Sequence, residues 1–303
     1  MNAEFYLFNV DHGQSAAMHL PNGRWCIFDL GRTADFSPVN WIAERAGAYR
    51  AAALLYPSMQ SQFRIFKATV SHLHHDHLAD YGNLFLFGPE YMRTVMFDQG
   101  YLADSLESSS EESRPSVVNF AQRFSSGFSG SVQADYGNVQ IREFSLTVAA
   151  ARPIGGSANS RVNNASLITR IDVYGNSILI CGDIEKESWD TIFGNPILSS
   201  TWRSMIENVD ILVAPHHGHA SGYSVDLLNM AKPAVVLVSV VSGDPNVDTR
   251  YSQSPVRGIR IDQTDYSSIT TRKQGHIKVS IQPPVNLASK GLRTWTFGDD
   301  IIN

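Results

Sequence analysis

Short apolar runs separated by polar turns predict that the first part of the chain is built mainly from strands. The runs are Glu4 to Val10, Ser15 to Leu20, Trp25 to Leu30 and Phe63 to Ser71. Pro21-Asn22-Gly23, between the second run and the third, is typical of a hairpin turn. An Ala-rich stretch at residues 38–55 predicts a helix, with Ser37 as N-cap and Pro38 in the first turn.

The same pattern returns in the second half of the chain. The predicted strands are Val139 to Ala149, Ala165 to Tyr174, Ser177 to Cys181, Asp210 to Ala214 and Ala234 to Val241. The predicted helices lie near residues 185–193, 199–207 and 222–231, and further strands are expected from residue 267. Gly175-Asn176 is a hairpin signal between two of the strands. Because both halves combine strands with intervening helices, we expect two sheets with helices on the outside.

A serine-rich segment at about 104–131 interrupts this pattern. Its serines lie among Glu107, Glu111 and Glu112, and a helix is expected around residues 115–124. The segment is embedded between strand-rich regions, which favours an insertion over a linker. We therefore expect a single domain over residues 1–303 that carries this insertion.

Composition excludes several classes of protein. The 303 residues are 43% hydrophobic and 17% charged, with a net charge of −5, which excludes disordered and collagen-like chains. Cys26 and Cys181 each lie in an apolar run and are expected to be buried free thiols. No apolar run approaches the roughly 20 residues of a membrane helix, and the first residues do not resemble a signal peptide. We expect a cytoplasmic protein without a membrane partner.

The histidines are concentrated in two short windows. Four of the ten lie in residues 72–77 and three in residues 216–219. The first window reads H-x-H-x-D-H from His72, and side chains two residues apart in an extended segment point the same way. His72, His74 and Asp76 can therefore share a side, and His77 joins them only if the chain turns. Three imidazoles and one carboxylate suit Zn²⁺, Mn²⁺ or iron.

Two further strand ends carry candidate ligands. Gly182-Asp183 follows an apolar run and could bridge two metals, although Gly-Asp also occurs in ordinary turns. His216 and His217 end another run, and such a pair suits one metal ligand and one partner for substrate or water. His75 occupies an x position of the motif, which favours a packing role. Sites are commonly built at the C-terminal ends of strands.

Taken together, these motifs resemble the metallo-β-lactamase superfamily, in particular the hydrolase domain of ComEC-like DNA-uptake proteins. The resemblance covers roughly residues 5–245. The matching stretches are Phe8 to Ser15, Ile27 to Gly31, His72 to His77, Asn163 to Leu167, Leu179 to Glu185 and Ala214 to Gly218.

The resemblance implies a four-layer αββα sandwich with a dinuclear site at one edge, occupied by two divalent ions, Zn²⁺ or Mn²⁺. It implies that His72 and His74 bind the first metal and that Asp76 and His77 bind the second. Asp183 would bridge the two metals. One histidine of the pair His216–His217 would complete the second site, with His217 favoured as ligand and His216 as the substrate or water contact. Asp29 would be a structural acid beside the site.

The chain departs from the family pattern at its first metal. The wider superfamily has a further histidine between the first motif and the bridging aspartate, whereas this chain has none between His77 and His216. Asn163 and Asn164 occupy the matching region. We therefore expect the first metal to have fewer protein ligands and to bind more weakly.

Three functions remain open at this point. A water shared by two divalent ions is deprotonated near neutral pH, so a metal-bound hydroxide could attack phosphorus or carbon. The first hypothesis is a phosphodiesterase or nuclease with Asp76, Asp183 and His216 as catalytic residues. The second is a carbonyl hydrolase acting on a thioester, lactone or lactam. The third is a catalytically weak module that binds a nucleotide or a partner protein in a multi-protein system.

Charge distribution favours an anionic substrate, including nucleic acid. Residues 250–293 contain eight basic and two acidic residues, while the whole chain is acidic. The basic residues are Arg250, Arg257, Arg260, Arg272, Lys273, Lys278, Lys290 and Arg293. Such a stretch could contact phosphates, and a solvated strand surface is the alternative interpretation.

Overall fold

Two large β-sheets form the centre of the protein. A computed structural model describes residues 1–55, 65–87, 89–125, 136–286 and 289–302. Its strands are β1 (Ala3–Leu7), β2 (Ala16–His19), β3 (Trp25–Phe28), β4 (Ile65–Val70), β5 (Tyr91–Thr94), β6 (Val139–Phe144), β7 (Ile168–Val173), β8 (Asn176–Ile180), β9 (Ile211–Val213), β10 (Val235–Val238), β11 (Ile259–Ile261), β12 (Thr264–Tyr266), β13 (Ser268–Thr270), β14 (Ile277–Ile281) and β15 (Arg293–Phe297). The helices are α1 (Pro38–Leu55), α2 (Tyr81–Phe87), α3 (Gln99–Ser108), α4 (Arg114–Ser125), α5 (Val148–Ala151), α6 (Ala158–Asn163), α7 (Lys186–Gly194), α8 (Pro196–Ile206), α9 (Val225–Ala231) and α10 (Thr271–Gln274).

Both sheets mix parallel and antiparallel pairs. Within these ranges, one sheet has the order β15-β14-β1-β2-β3-β4-β5 and the other the order β13-β10-β9-β8-β7-β6, while β11 and β12 form a separate hairpin. The segments β3-β4-β5 and β8-β9-β10-β13 are parallel. Parallel neighbours end at the same edge of their sheet, so the loops after β4, after β8 and after β9 are available to build a common site.

Alternate side chains of β1 fill two different layers. Phe5 points into the space between the sheets, where it shares a hydrophobic cluster with Ile178 and Ile180 of β8. The next residue, Tyr6, faces the other way and contacts Trp41 of α1, with ring centroids 5.1 Å apart. This alternation gives the first sheet one face for the second sheet and one face for a helix.

The second sheet shows the same division. Leu179 of β8 and Leu212 of β9 face outward and belong to a cluster with Trp189 of α7 and Trp202 of α8. Burial on both faces explains why these central strands read as continuous apolar runs. The four-layer αββα sandwich is therefore confirmed.

Local structure departs from the sequence prediction in one long run. Residues 139–149 were expected to form one strand, but β6 ends at Phe144 and α5 begins at Val148. Thr147 caps this short helix, because its side-chain oxygen accepts a hydrogen bond from the backbone N–H of Ala150. A capping threonine before Val-Ala-Ala-Ala favours a helical turn over a continued strand. The prediction of a strand over residues 145–149 was wrong.

The serine-rich segment begins with two helices. Helix α4 confirms the predicted helix around residues 115–124, while residues 126–131 of the segment lie outside the described ranges. Asp104 of α3 pairs with Arg161 of α6 at 2.8 Å and with Arg152 at 3.3 Å. These ion pairs hold the segment against the second half of the chain. The single-domain organisation stays a prediction.

Most basic residues of the C-terminal stretch contact acidic groups of the chain itself. The carboxylate of Asp210 is buried and lies 2.8 Å from Lys290, 3.5 Å from Arg257 and 3.6 Å from Arg293. Other acidic partners in the described ranges are Asp248 for Arg250, Asp265 for Arg260 and Glu4 for Lys278. These pairs offset much of the positive charge, so the charge count does not by itself define an anion-binding surface. The nucleic-acid partner stays a prediction.

The protein has two cysteines. Cys26 and Cys181 are buried and unpaired, as predicted. Among the described residues, no helix combines the length and the apolar character needed to cross a membrane.

A buried ion pair connects the two sheets. Lys67 Nζ of β4 lies 2.7 Å from Glu143 Oε2 of β6, with side-chain exposures of 10% and 8%. Thr69 Oγ1 donates a second hydrogen bond, of 2.6 Å, to Glu143 Oε1. We expect Glu143→Ala to lower the free energy of unfolding by about 3–5 kcal/mol, because the ammonium of Lys67 then stays buried without its partner.

Urea denaturation monitored by circular dichroism measures this loss. The double variant Lys67→Met, Glu143→Leu is the matched control, since replacing both charges with apolar groups of similar volume removes the uncompensated charge. It should recover most of the stability. An unchanged urea midpoint for Glu143→Ala would contradict the assignment.

Candidate metal centre

Three strand ends bring their polar residues to one edge of the sandwich. The first motif follows β4, Asp183 follows β8 and His217 follows β9. Gly182 makes the approach of Asp183 possible: its φ is +55°, and a Cβ there would lie 2.7 Å from Cβ of Ser71. Only glycine fits that space in that backbone conformation. The candidate ligands therefore converge although they are far apart in the sequence.

A turn inside the first motif decides which of its side chains meet. His74 is extended, with φ −95° and ψ 149°, and a 3₁₀ turn at His75–His77 follows it. His72 Nε2 and His74 Nδ1 face each other at 3.0 Å, while the turn brings the ring of His77 to 4.2 Å from that of His72. The turn that His77 needs in order to join the other candidate ligands is therefore present. His75 is exposed.

Asp76, His77, Asp183 and His217 form a tight cluster, with one potential ligand atom from each within 4.8 Å of the others. His77 Nε2 lies 3.2 Å from Asp183 Oδ1 and 3.7 Å from Asp76 Oδ2. His217 Nε2 lies 3.4 Å from both Asp76 Oδ2 and Asp183 Oδ2. Ligands at about 2.0–2.2 Å from a tetrahedral ion are about 3.3–3.6 Å apart, which is close to these separations.

Three atoms of this cluster test whether a metal ion fits. His77 Nε2, Asp183 Oδ1 and His217 Nε2 are buried and have no hydrogen-bond partner. Buried polar atoms without a partner are costly, so they need an explanation such as an ion. Imidazole nitrogens and carboxylate oxygens are ligands that Zn²⁺ and Mn²⁺ accept. These nitrogen and oxygen atoms therefore suit a divalent cation as ligands.

The remaining nitrogens of both histidines contact fixed acceptors. His77 Nδ1 lies 2.9 Å from Asp29 Oδ2, and His217 Nδ1 lies 3.1 Å from the carbonyl oxygen of Ser239. Asp29 also accepts hydrogen bonds from Ser71 N at 2.6 Å and from Gln14 Nε2 at 2.9 Å. Metal-binding histidines commonly donate their second N–H to such groups. Asp29 therefore lies beside the site, as the resemblance implied, and it also orients His77.

The carboxylates change the proton affinity of these histidines. Burial lowers the pKa of His77, but the nearby charges of Asp183, Asp29 and Asp76 outweigh it, so that this pKa is raised well above its usual value. The pKa of His217 is raised to about 10, because Asp183 and Asp76 likewise outweigh burial. Negative charge that stabilises two protonated imidazoles can also offset the charge of a cation that replaces those protons.

The predicted ligands of the first metal lie beside this cluster. His72 Nε2 is 4.0 Å from Asp183 Oδ2. His74 Nε2 lies 3.0 Å from Ser108 Oγ, at the end of α3. Burial lowers the pKa of both imidazoles, with a further decrease for His72 from His77. Neutral imidazoles are the form that binds metals.

His216 faces the same carboxylate as His217, at a longer distance. Its Nε2 atom lies 3.9 Å from Asp183 Oδ2. Its Nδ1 atom lies 2.8 Å from Ser221 Oγ and 3.6 Å from Glu185 Oε1. The structure therefore places all seven predicted site residues near one another, and the division into ligands and catalytic groups stays a prediction.

Two site residues were missed by sequence reasoning. Glu185 is buried and accepts hydrogen bonds from Asn163 Nδ2, at 2.9 Å, and from Ser160 Oγ. Ser108 contacts His74, although the serine-rich segment was interpreted only as an insertion. The position of Glu185 directly after Gly-Asp-Ile was a usable signal. Ser108 had none, because its serine neighbours look alike in the sequence.

A cleft of about 420 Å³ opens over the metal centre. Ser108, Ser109, Ser110 and Ser113 line one side, and Asn159 and Asn163 lie nearby. The rest of the lining consists of His12, histidines from both windows, Asp76 and Asp183. In the described part of the chain this lining contains no apolar side chain, so the cleft is suited to a polar substrate.

Comparison with known proteins gives weak similarities. No family model matches the chain. A curated relative, the uncharacterized protein YcaI of Escherichia coli strain K12, is 29% identical over 161 residues, which are 52% of this chain. The aligned region spans only 18% of the length of YcaI.

The chain also resembles several solved structures, three of which span 80% or more of it. The metallo-β-lactamase fold protein YhfI from Bacillus subtilis is 11% identical at a TM-score of 0.37, covering 80% of this chain and 88% of YhfI. A putative metal-dependent hydrolase from Parabacteroides distasonis is 11% identical at 0.46, covering 89% and 94%. A diphosphatase of the PhnP family is 11% identical at 0.40, covering 98% of both chains. At such low scores these similarities assign no reaction to the chain.

Proposed function

We propose that this protein is a metal-dependent hydrolase of the metallo-β-lactamase superfamily that cleaves phosphodiester bonds with two divalent ions, Zn²⁺ or Mn²⁺. The proposal rests on three buried atoms that could bind a metal and have no hydrogen-bond partner: one each on His77, Asp183 and His217. Such atoms are explained by a cation, and the adjoining cleft gives a substrate access to it.

Each residue of the site has a defined role in this proposal. His72 and His74 would hold one ion, Asp76, His77 and His217 the other, and Asp183 would contact both. Bound divalent ions supply Lewis acidity and lower the pKa of water, which permits hydrolysis near neutral pH. Asp29 keeps the ring of His77 in place through the contact to Nδ1.

Asp76 is the carboxylate of the cluster that reaches the cleft. Its side chain is 38% exposed, whereas that of Asp183 is 5% exposed. A carboxylate at the boundary of cleft and cluster can accept a hydrogen bond from the attacking water and thereby orient it.

The polar lining favours phosphodiesters over acyl compounds. The hydroxyl pair Ser110–Ser113 and the amide of Asn159 can donate hydrogen bonds to phosphate oxygens. The hydroxyls of Ser108 and Ser109 donate to backbone carbonyls of α3. Thioesters and lactones usually carry an apolar portion, for which a binding pocket normally offers apolar side chains. The motif order that resembles ComEC-like hydrolase domains further supports a phosphodiester substrate.

Turnover of three substrates by the metal-loaded protein tests the proposal. Bis-p-nitrophenyl phosphate, single-stranded DNA and a thioester would each be assayed with Zn²⁺ and with Mn²⁺, with the Asp183→Asn variant as background. We expect metal-dependent cleavage of the small diester. Cleavage of DNA as well would identify a nuclease. Cleavage of DNA without cleavage of the small diester would show that contacts outside the metal centre determine substrate specificity.

Two results would contradict the proposed function. Metal-dependent turnover of the thioester without turnover of either phosphodiester would identify a carbonyl hydrolase. Stoichiometric metal binding without turnover of any of the three would favour a module that binds a nucleotide or a partner protein.

A further inference from the structure

We propose that His216 Nε2 is a ligand of the first metal, together with His72 and His74, so that the pair His216–His217 gives one ligand to each of two metal sites. The inference rests on the proposed dinuclear site. It assigns His216 to metal binding and not to substrate contact, and it identifies the residue that compensates for the missing mid-chain histidine.

Imidazole nitrogens lie around the carboxylate of Asp183. Its Oδ2 atom is approached by three imidazole nitrogens: His217 Nε2 at 3.4 Å, His216 Nε2 at 3.9 Å and His72 Nε2 at 4.0 Å. Its Oδ1 atom faces His77 Nε2 at 3.2 Å. His72 and His216 therefore meet the same carboxylate oxygen. Separations of 3.9–4.0 Å are only a few tenths of an ångström longer than the roughly 3.6 Å between ligands of one tetrahedral ion.

The second step concerns the other nitrogen of His216. Ser221 Oγ lies 2.8 Å from His216 Nδ1, and the buried carboxylate of Glu185 lies 3.6 Å from it. Both groups lie on the Nδ1 side of the ring, and Nε2 is the nitrogen that faces Asp183. Metal-binding histidines show this arrangement of a carboxylate behind the ring.

The backbone supplies a third, independent observation. His216 has φ 49° and ψ 53°, and His217 has φ 53° and ψ 24°, so two consecutive residues are left-handed. Non-glycine residues adopt this region at an energetic cost, and two in succession need stabilisation from their surroundings. The conformation lets neighbouring histidines both direct Nε2 at Asp183, with ring planes inclined by 61°.

Asn163 is the competing candidate for the third ligand. Its Nδ2 atom donates to Glu185 Oε1 at 2.9 Å, and a carboxylate only accepts, so its Oδ1 atom is the one left free. That atom is buried without a hydrogen-bond partner. The histidine is favoured because its Nε2 atom lies 3.9 Å from the carboxylate oxygen that also faces His72.

Metal stoichiometry of variants tests the inference. The full chain would be stripped of metal, loaded with excess Co²⁺, freed of unbound ion and measured by elemental analysis and by visible absorption of the bound Co²⁺. Asparagine is the replacement at position 216 because it tolerates left-handed backbone conformations. We expect two ions in the wild type and one in His216→Asn, with loss of the absorption that belongs to one site.

Two variants serve as controls in the same measurement. His75→Asn removes an exposed imidazole from the first motif and should retain both ions. Glu185→Gln removes the charge behind His216 and should lower the affinity for one ion by about 10–100-fold. This loss is typical when the group behind a metal-binding histidine is replaced. The second ion should keep its affinity.

Other outcomes would overturn the inference. Two ions of unchanged affinity in His216→Asn would exclude His216 as a ligand, while loss of one ion in Asn163→Ala but not in His216→Asn would assign the position to Asn163. These results leave the proposed function intact. A wild-type chain that binds fewer than two ions would overturn the inference, and a chain that binds none would overturn the proposed function as well.

Discussion

Replacing Asp183 with alanine should reduce turnover by more than two orders of magnitude without unfolding the protein. Asp183 directs Oδ1 at His77 and Oδ2 at His217, so its removal would leave the two proposed ions with less negative charge between them. Loss of a group that merely contacts a metal-binding histidine typically costs about 10–100-fold in metal affinity or activity, and a shared ligand should cost more. Activity on bis-p-nitrophenyl phosphate measures the effect, and circular dichroism checks the fold.

Asp190→Ala is the matched control for this experiment. Asp190 lies on α7, where it is exposed and pairs with Lys186. The same chemical change at that position should leave turnover within about twofold, since surface substitutions away from the site have small effects. Near-normal turnover of Asp183→Ala would instead show that Gly182-Asp183 is only a turn.

Removing the metal should abolish turnover and lower the melting temperature. The native protein should contain up to two divalent ions per chain, one held less tightly than the other. An ion that binds only the folded state stabilises it by about 2.7 kcal/mol at a concentration of 100 Kd, so chelation should remove stability of this order per site. We expect a decrease of several degrees in the melting temperature.

Elemental analysis and thermal unfolding with and without EDTA measure both effects. Re-addition of Zn²⁺ or Mn²⁺ should restore activity and melting temperature together. A content below about 0.2 metal ions per chain after loading, well short of one occupied site, would contradict the site assignment. An unchanged melting temperature on chelation of an ion-loaded chain would show that the ion binds weakly or at the surface.

Regular elements with clear periodicity could be predicted from the sequence. The helix expected at residues 38–55 is α1, and the buried runs after residues 165, 177, 210 and 234 are β7, β8, β9 and β10. These runs are apolar because helices and a second sheet cover both of their faces. The run at residues 139–149 misled the prediction, since apolar character alone does not distinguish a strand followed by a helical turn from one long strand.

Helix α6 was not expected at all. It is six residues long and carries Asn163 at its end. Ser157 caps it by accepting a hydrogen bond from the backbone N–H of Ser160. A short helix with polar residues shows little periodicity, and its stability comes from contacts such as the ion pair of Arg161 with Asp104. Those contacts are long-range and are not visible in the local sequence.

The sequence by itself determined which residues could bind a metal. The spacing of His72, His74 and His77, and the positions of Asp183 and His217 after apolar strands, follow from short-range rules of alternation and turn formation. These rules act over a few residues and therefore need no knowledge of the fold.

Only the tertiary structure decided how those ligands are supported and oriented. The contacts of Ser108 with His74, of Asp29 with His77 and of Glu185 with His216 join segments that are distant in the sequence. The ion pair of Asp210 with Lys290, which offsets positive charge in the basic stretch, likewise joins segments that are distant in the sequence. Such pairs form because packing of two sheets and their helices brings particular loops together, and that packing depends on the whole chain.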